Sequence, residues 1–167
     1  MIELLILFIL QKQGSNIYKI KKFIDINFCV FYKTSLGTIL PALKRLETKE
    51  FIASSKTITD GGQKKSDYFI TTKGKNRLIE LLISPLSSNP LNAEPFIEAT
   101  PFILAENILS KEEQTILIKN ILKHLEIRKS SFKKLSEQFK DIKIQKKYME
   151  NSQRECEEKI TFFKSFV

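Results

Sequence analysis

Apolar residues dominate positions 2–12, IELLILFILQK, before Gly14 and Ser15 interrupt the run, which predicts a short and mostly buried first helix. Over residues 16–27, Ile17, Ile20, Phe23 or Ile24, and Ile26 recur at broadly helical spacing, while Lys19, Lys21 and Lys22 crowd the other side. A third helix is predicted from a Ser35 cap to about Lys49. At 100° per residue, Leu36, Ile39, Ala42, Leu43 and Leu46 form its core side. Gly37, Thr38, Pro41, Lys44, Arg45 and Thr48 form the other side, and Pro41 should kink the helix near its start. FIASSKTIT and KSDYFITT then read as two strands around DGGQK, whose Gly61 and Gly62 suit a tight hairpin turn. A fourth helix follows in TTKGKNRLIELLI, with Thr72 as a candidate cap, Leu78, Ile79, Leu81 and Leu82 as its buried strip, and Gly74 an unfavourable residue near its start.

Residues 84–98, SPLSSNPLNAEPFIE, concentrate Pro, Ser and Asn and mark a linker between an N-terminal domain, 1–83, and a C-terminal helical domain, 99–167. After a short segment near Phe102 to Leu109, Ser110 and Glu113 have the spacing of a capping box and announce a long helix. Along it Ile118, Ile121, Leu125, Phe132, Leu135, Phe139 and Ile142 recur at intervals of three and four, interrupted by Arg128. A last helix from about Gln145 carries Tyr148, Met149, Cys156, Ile160 and Phe163. The first strip is too long for one chain's helices to cover, so it predicts a homodimer.

The net charge of +9 suggests a polyanionic partner, and its distribution sharpens the suggestion. Residues 1–83 hold 14 Lys and Arg against 7 Asp and Glu, a net of +7, whereas residues 84–167 hold 14 against 12, a net of +2. The electrostatic footprint therefore belongs to the N-terminal half. Cys29 and Cys156 lie far apart with no CxxC or Cys/His spacing, which predicts free thiols in a reducing cytoplasm and no structural zinc. MIELLILFIL lacks a basic leader, carries Glu3 and is followed by no small-residue cleavage site, so it is not expected to be a signal peptide. No apolar stretch approaches the roughly 18 residues of a membrane span.

Three helices, a glycine-turned hairpin and a closing helix follow the order of a winged helix-turn-helix, in which the third helix enters the major groove. The text resembles the PadR family over about residues 2–83: Gly14 and Tyr18 in QGSNIYKIKKF, then SLGTILPALKRLETKEFI, then SDYFITTKGKNRL. These contain LKRLE at the helix end and the Tyr68-x-x-Thr71-x-x-Gly74 spacing after the wing. More weakly, EPFIEATPFILAENILSKEEQTILIKNILKHLE is similar to the C-terminal domain of longer PadR-like proteins. Two positions depart from the family pattern: Leu40 stands in place of the usual Tyr before the Pro, and Ile17 in place of the usual Gly before Tyr18.

The expected fold is thus mainly α with a small β-hairpin wing, an N-terminal winged helix-turn-helix followed by a helical dimerisation region. The resemblance implies a cytoplasmic transcriptional regulator, a repressor acting as a homodimer on double-stranded DNA. Lys33, Ser35, Thr38, Lys44 and Arg45 are its candidate contacts around the third helix, and Gln63, Lys64 and Lys65 those at the wing tip. Tyr18 either offers its hydroxyl to a phosphate, as the family implies, or caps the edge of the core. Candidate dimer contacts are Ile118, Ile121, Leu125, Phe132, Leu135, Phe139, Ile160 and Phe163. The resemblance also implies a small apolar or phenolic inducer near the dimer interface, which 13 Phe and 4 Tyr permit without identifying it.

No nucleophile motif, carboxylate pair, phosphate loop or dinucleotide fingerprint points to catalysis, and no cofactor is expected. His124, the single histidine, is expected to be solvated or interfacial on a charged helix surface. The competing reading is a winged-helix protein-interaction module without specific DNA binding, with which Leu40 is compatible.

Overall fold

Every residue from Leu4 to Leu10 is buried in α1, Ile2–Lys12, because its nearly all-apolar sequence is enclosed on all sides rather than along one stripe. The computed structural model describes residues 1–29, 32–58, 64–86 and 97–167, with the backbone alone for 57, 58 and 64. They form two compact units, Met1–Leu82 and Ile83–Val167.

In the first unit α1 packs against α2, Ile17–Asn27, and α3, Leu36–Thr48. Ile20 and Ile24 of α2 and Ile39, Ala42, Leu43 and Leu46 of α3 turn to the shared core, while Leu36 is only half buried. Ile26, expected on the core side of α2, is 64% exposed: at 100° per residue it lies well round the helix from the Ile20–Ile24 line. α3 runs unbroken through Pro41. It ends with Glu50 at φ 60°, where the amide of Phe51 donates to Leu46 O and that of Glu50 to Glu47 O, both at 2.9 Å. This double closure is a Schellman motif with a glutamate in the left-handed position that glycine usually takes.

β2, Ile52–Ile58, and β3, Lys64–Ile70, pair antiparallel from Ile52↔Ile70 to Ile58↔Lys64. The turn expected at Gly61 and Gly62, with Gln63, lies outside the described residues. A third strand was not expected: β1, Ser15–Asn16, pairs antiparallel with the other edge of β3, giving the order β1-β3-β2. At two residues it is too short to leave a period in the sequence. α4, Thr72–Ile83, closes the unit with Leu78 and Leu82 buried. Its cap is Thr71 and not Thr72: Thr71 Oγ1 accepts from the Gly74 amide at 3.0 Å and donates to Glu50 O at 2.8 Å.

The second unit contains α5, Ala99–Ala105, α6, Lys111–Gln138, and α7, Lys143–Lys164. The Ser110 capping box forms, with Ser110 N donating to Glu113 Oε2 at 2.8 Å and Glu113 N to Ser110 Oγ at 3.2 Å. α6 and α7, joined through Phe139–Ile142, make a helical hairpin that buries Leu117, Ile118, Ile121 and Leu125 with Cys156, Ile160 and Phe163. Tyr148 and Ile142, expected in the apolar strips, are largely exposed near the hairpin's turn.

His124 is buried, contrary to expectation, with Nε2 3.6 Å from Glu98 Oε1. Glu98 is itself only 2% exposed and lies 3.4 Å from both Arg128 Nη1 and Lys159 Nζ. The carboxylate thus joins charges from α6 and α7 at the start of α5. That also explains Arg128 in the apolar strip: its cation answers a buried anion.

Candidate nucleic-acid interface

α3 presents Gly37, Thr38, Leu40, Pro41, Lys44, Arg45 and Thr48 to the surface. This is the face expected to meet DNA, with Leu40 added. Its polar members differ in freedom. Thr38 Oγ1 donates to Ser35 O at 2.8 Å and accepts from Ser35 N at 3.2 Å, so the hydroxyl secures the helix start and retains one lone pair. Arg45 Nε donates to Glu3 Oε1 of α1 at 2.8 Å, which fixes the guanidinium and offsets part of its charge. Lys44 is exposed and has no ion pair among the described residues.

Tyr18 is 71% exposed in the first turn of α2, so the alternative role of sealing the core edge does not fit it. Its position is determined by Asn16, whose Oδ1 accepts from Lys19 N at 3.0 Å while its backbone pairs with Asp67 in β3. The start of α2 and the root of the wing are therefore one hydrogen-bonded body. At the other end of α2, Asp25 bonds Lys21 and accepts from Thr34 Oγ1 at 3.2 Å, tying α2 to the segment that leads through exposed Lys33 and Ser35 into α3. The Lys21 ammonium, helped by the Thr34 hydroxyl and opposed by slight desolvation, holds the Asp25 carboxyl below its ordinary range.

On the wing, Lys65 Nζ is 3.2 Å from Asp67 Oδ2, so it too carries a local counter-charge. The side chain of Lys64 and all of Gln63 lie outside the described residues. Exposed Lys56 on β2, not singled out from the sequence, pairs in register with Ser66. Tyr68 sits between β1 and β2 in the sheet, and burial, assisted by the charge of Glu47, pushes its hydroxyl up from the usual phenol range.

The model of the transcriptional regulator PadR-like family matches residues 6–80. A solved PadR family transcription regulator from Clostridium difficile R20291 is 33% identical over 46% of this chain and 78% of its own, with a TM-score of 0.41. The chain belongs to the PadR family. Members of the PadR family are transcriptional regulators rather than enzymes. Bacillus subtilis PadR in complex with operator DNA is 20% identical over 98% of this chain and 96% of its own, TM-score 0.48. The same protein in complex with p-coumaric acid is 18% identical over 98% and 94%, TM-score 0.42. No curated protein matches the chain.

The PadR match takes in most of α1, all of α2 and α3, the three strands and most of α4. Among the described residues no helix is long and apolar enough to cross a membrane, and no group of three or more His, Cys, Asp or Glu side chains is arranged to hold a metal. Of the candidate dimer residues, Ile118, Ile121, Leu125, Ile160 and Phe163 are already buried within the chain's own second unit, by α5, α6 and α7. Phe132, Leu135 and Phe139 remain partly exposed. Phe162 and Phe166, absent from the sequence reading, are half exposed and pack edge-on against Phe102 at centroid distances of 6.2 and 5.0 Å. Their spacing of four, with Phe162 in the last turn of α7 and Phe166 just beyond its end, was the available signal.

Proposed function

We propose that this chain is a sequence-specific repressor that binds a pseudo-palindromic operator as a homodimer, with α3 in the major groove and the wing on phosphates. Family membership supports DNA binding by the first unit. The observation that carries the finer reading is the surface of α3: small Gly37 and Pro41 leave room for close approach, Lys44 supplies a free cation, and the hydrogen bonds of Asn16 and Asp25 hold the flanking segments rigid against it. Tyr18, Lys33 and Lys65 border this surface as phosphate contacts, with Lys64 and Gln63 completing the wing.

The partly exposed Phe132, Leu135 and Phe139 are the proposed dimer contact, with the buried residues beneath them as its scaffold. The ≈ 420 Å³ cavity of the second unit, lined by Phe102, Ile103, Leu117, Ile118 and Phe166, is a candidate place for a small apolar or phenolic inducer. The protein is proposed to act in the cytoplasm.

Selection of bound genomic fragments by the purified protein over a range of salt concentrations tests the function. A specific regulator enriches one motif that persists as salt rises. Uniform low-salt binding, or none, would instead favour a protein-interaction module.

A further inference from the structure

Leu40 is 52% exposed on α3, with Gly37 three residues before it and Lys44 four after it on the same surface. A lone exposed leucine is ordinary on a protein surface, but its neighbours here are unusual. Thr38 is engaged with Ser35 and Arg45 with Glu3, so two of the polar groups that would read base edges are bound back to the protein. A Cβ added to Gly37 would meet only Ser35 Oγ, at 3.5 Å, so the space beside Leu40 is open. What projects freely from the first two and a half turns is one branched apolar side chain and one cation.

The major groove offers one apolar feature on its base edges, the C5-methyl of thymine, and its acceptors suit a lysine at the N7 and O6 of guanine. We propose that Leu40 reads a thymine methyl in each half-site, with Lys44 reading or bordering an acceptor nearby. Four residues of helix advance about 6 Å, so the two contacts fall within about two base pairs of each other at 3.4 Å per step. This inference rests on the proposed insertion of α3 into the major groove. It gives the apolar residue at position 40 a specificity of its own, one that a phenol hydroxyl would not supply.

The test uses the motif enriched in fragment selection, with each thymine replaced in turn by deoxyuridine, which removes only the methyl. A single replacement should weaken wild-type binding roughly three- to fivefold, the worth of one buried methyl group, and one replacement in each half-site together roughly ten- to twenty-five-fold. The Leu40→Ala protein should bind the thymine and uracil forms alike, while Leu40→Met should retain the preference. Because Leu40 is outside the core, both variants should melt near the wild type. A specific motif whose thymine preference is absent, or survives unchanged in Leu40→Ala, overturns this inference and leaves the regulator reading intact. Failure to enrich any motif overturns both.

Discussion

A Cβ placed on Gly74 would fall 1.9 Å from the carbonyl oxygen of Phe51, so the backbone of α4 touches the backbone leading into the wing. The same carbonyl accepts from Thr71 N at 3.1 Å, which locks the end of the wing to the start of α4. In an ordinary helix, replacing Gly by Ala gains about 1 kcal/mol. Here the sign reverses. Gly74→Ala should destabilise the first unit by about 3 kcal/mol or more, because the obstacle is backbone that cannot rotate away. Thermal or urea denaturation checks this, and a variant as stable as the wild type would show the contact to be slack.

Glu3 and Arg45 lie 42 residues apart and meet at 2.8 Å on a partly exposed surface. Such a pair contributes at most about 1 kcal/mol to stability. Its larger effect is on the DNA face, where Glu3 offsets a cation. Glu3→Gln should leave the melting temperature nearly unchanged and raise DNA affinity at low salt, steepening the salt dependence by up to about one unit. Titrations at several salt concentrations decide it, and unchanged affinity would remove Arg45 from the interface.

What the sequence disclosed follows from the range of the interaction concerned. α1 and the Ser110 cap were legible because an apolar run and a capping box are written within a few residues. Gly74 was visible only as an unfavourable helix residue, since the reason for it is a backbone atom 23 positions earlier. His124 was misread for the same kind of reason. Charged neighbours such as Lys123 and Glu126 suggest a surface, but Glu98, brought in by α5, makes a buried charged cluster there. On α3 the exposed face was legible from periodicity, whereas the engagement of Arg45 by Glu3 and of Thr38 by Ser35 was not.

The wing supplies a third test. Replacing Lys64 and Lys65 together by Ala should weaken binding to all sequences alike and lower the salt slope by about one to two units, as lost phosphate contacts do. Because Asp67 already offsets Lys65, the lower end of that range is expected if Lys64 contributes little. A change in the preferred motif would mean that the wing reads bases.

Asp25 connects pH to the α2–α3 junction. Its carboxyl titrates lower in the folded chain because it bonds Lys21 and Thr34, so its contribution is present above the ordinary aspartate value of about 3.9 and is lost as pH falls through the folded value. Asp25→Asn should therefore be less stable than the wild type at neutral pH, with the difference disappearing in strong acid. Denaturation midpoints of both proteins between neutrality and pH about 2 measure it. A difference that persists undiminished in acid would assign the effect to packing.

Assembly needs a variant that separates association from folding. Leu125 is fully buried within the chain's own helical hairpin, so Leu125→Asp would place an unpaired carboxylate in that core and unfold the second unit, whatever the oligomeric state. Phe132 and Phe139 lie seven residues apart on one side of the α6 register and are both partly exposed. Replacing these two with Asp leaves the carboxylates hydrated in a single chain and buries them only if a second chain covers them. The wild type should sediment as a dimer at micromolar concentration, and the doubly substituted protein as a monomer with unchanged helical content. Two winged units held together meet half-sites about 10 base pairs or a multiple apart, so the monomer should also lose tight binding to a palindrome while retaining weak binding to a half-site. A wild-type monomer that binds the palindrome tightly would overturn the dimer proposal, and a substituted protein that remains dimeric would move the contact elsewhere, with exposed Phe162 and Phe166 the next surface to test.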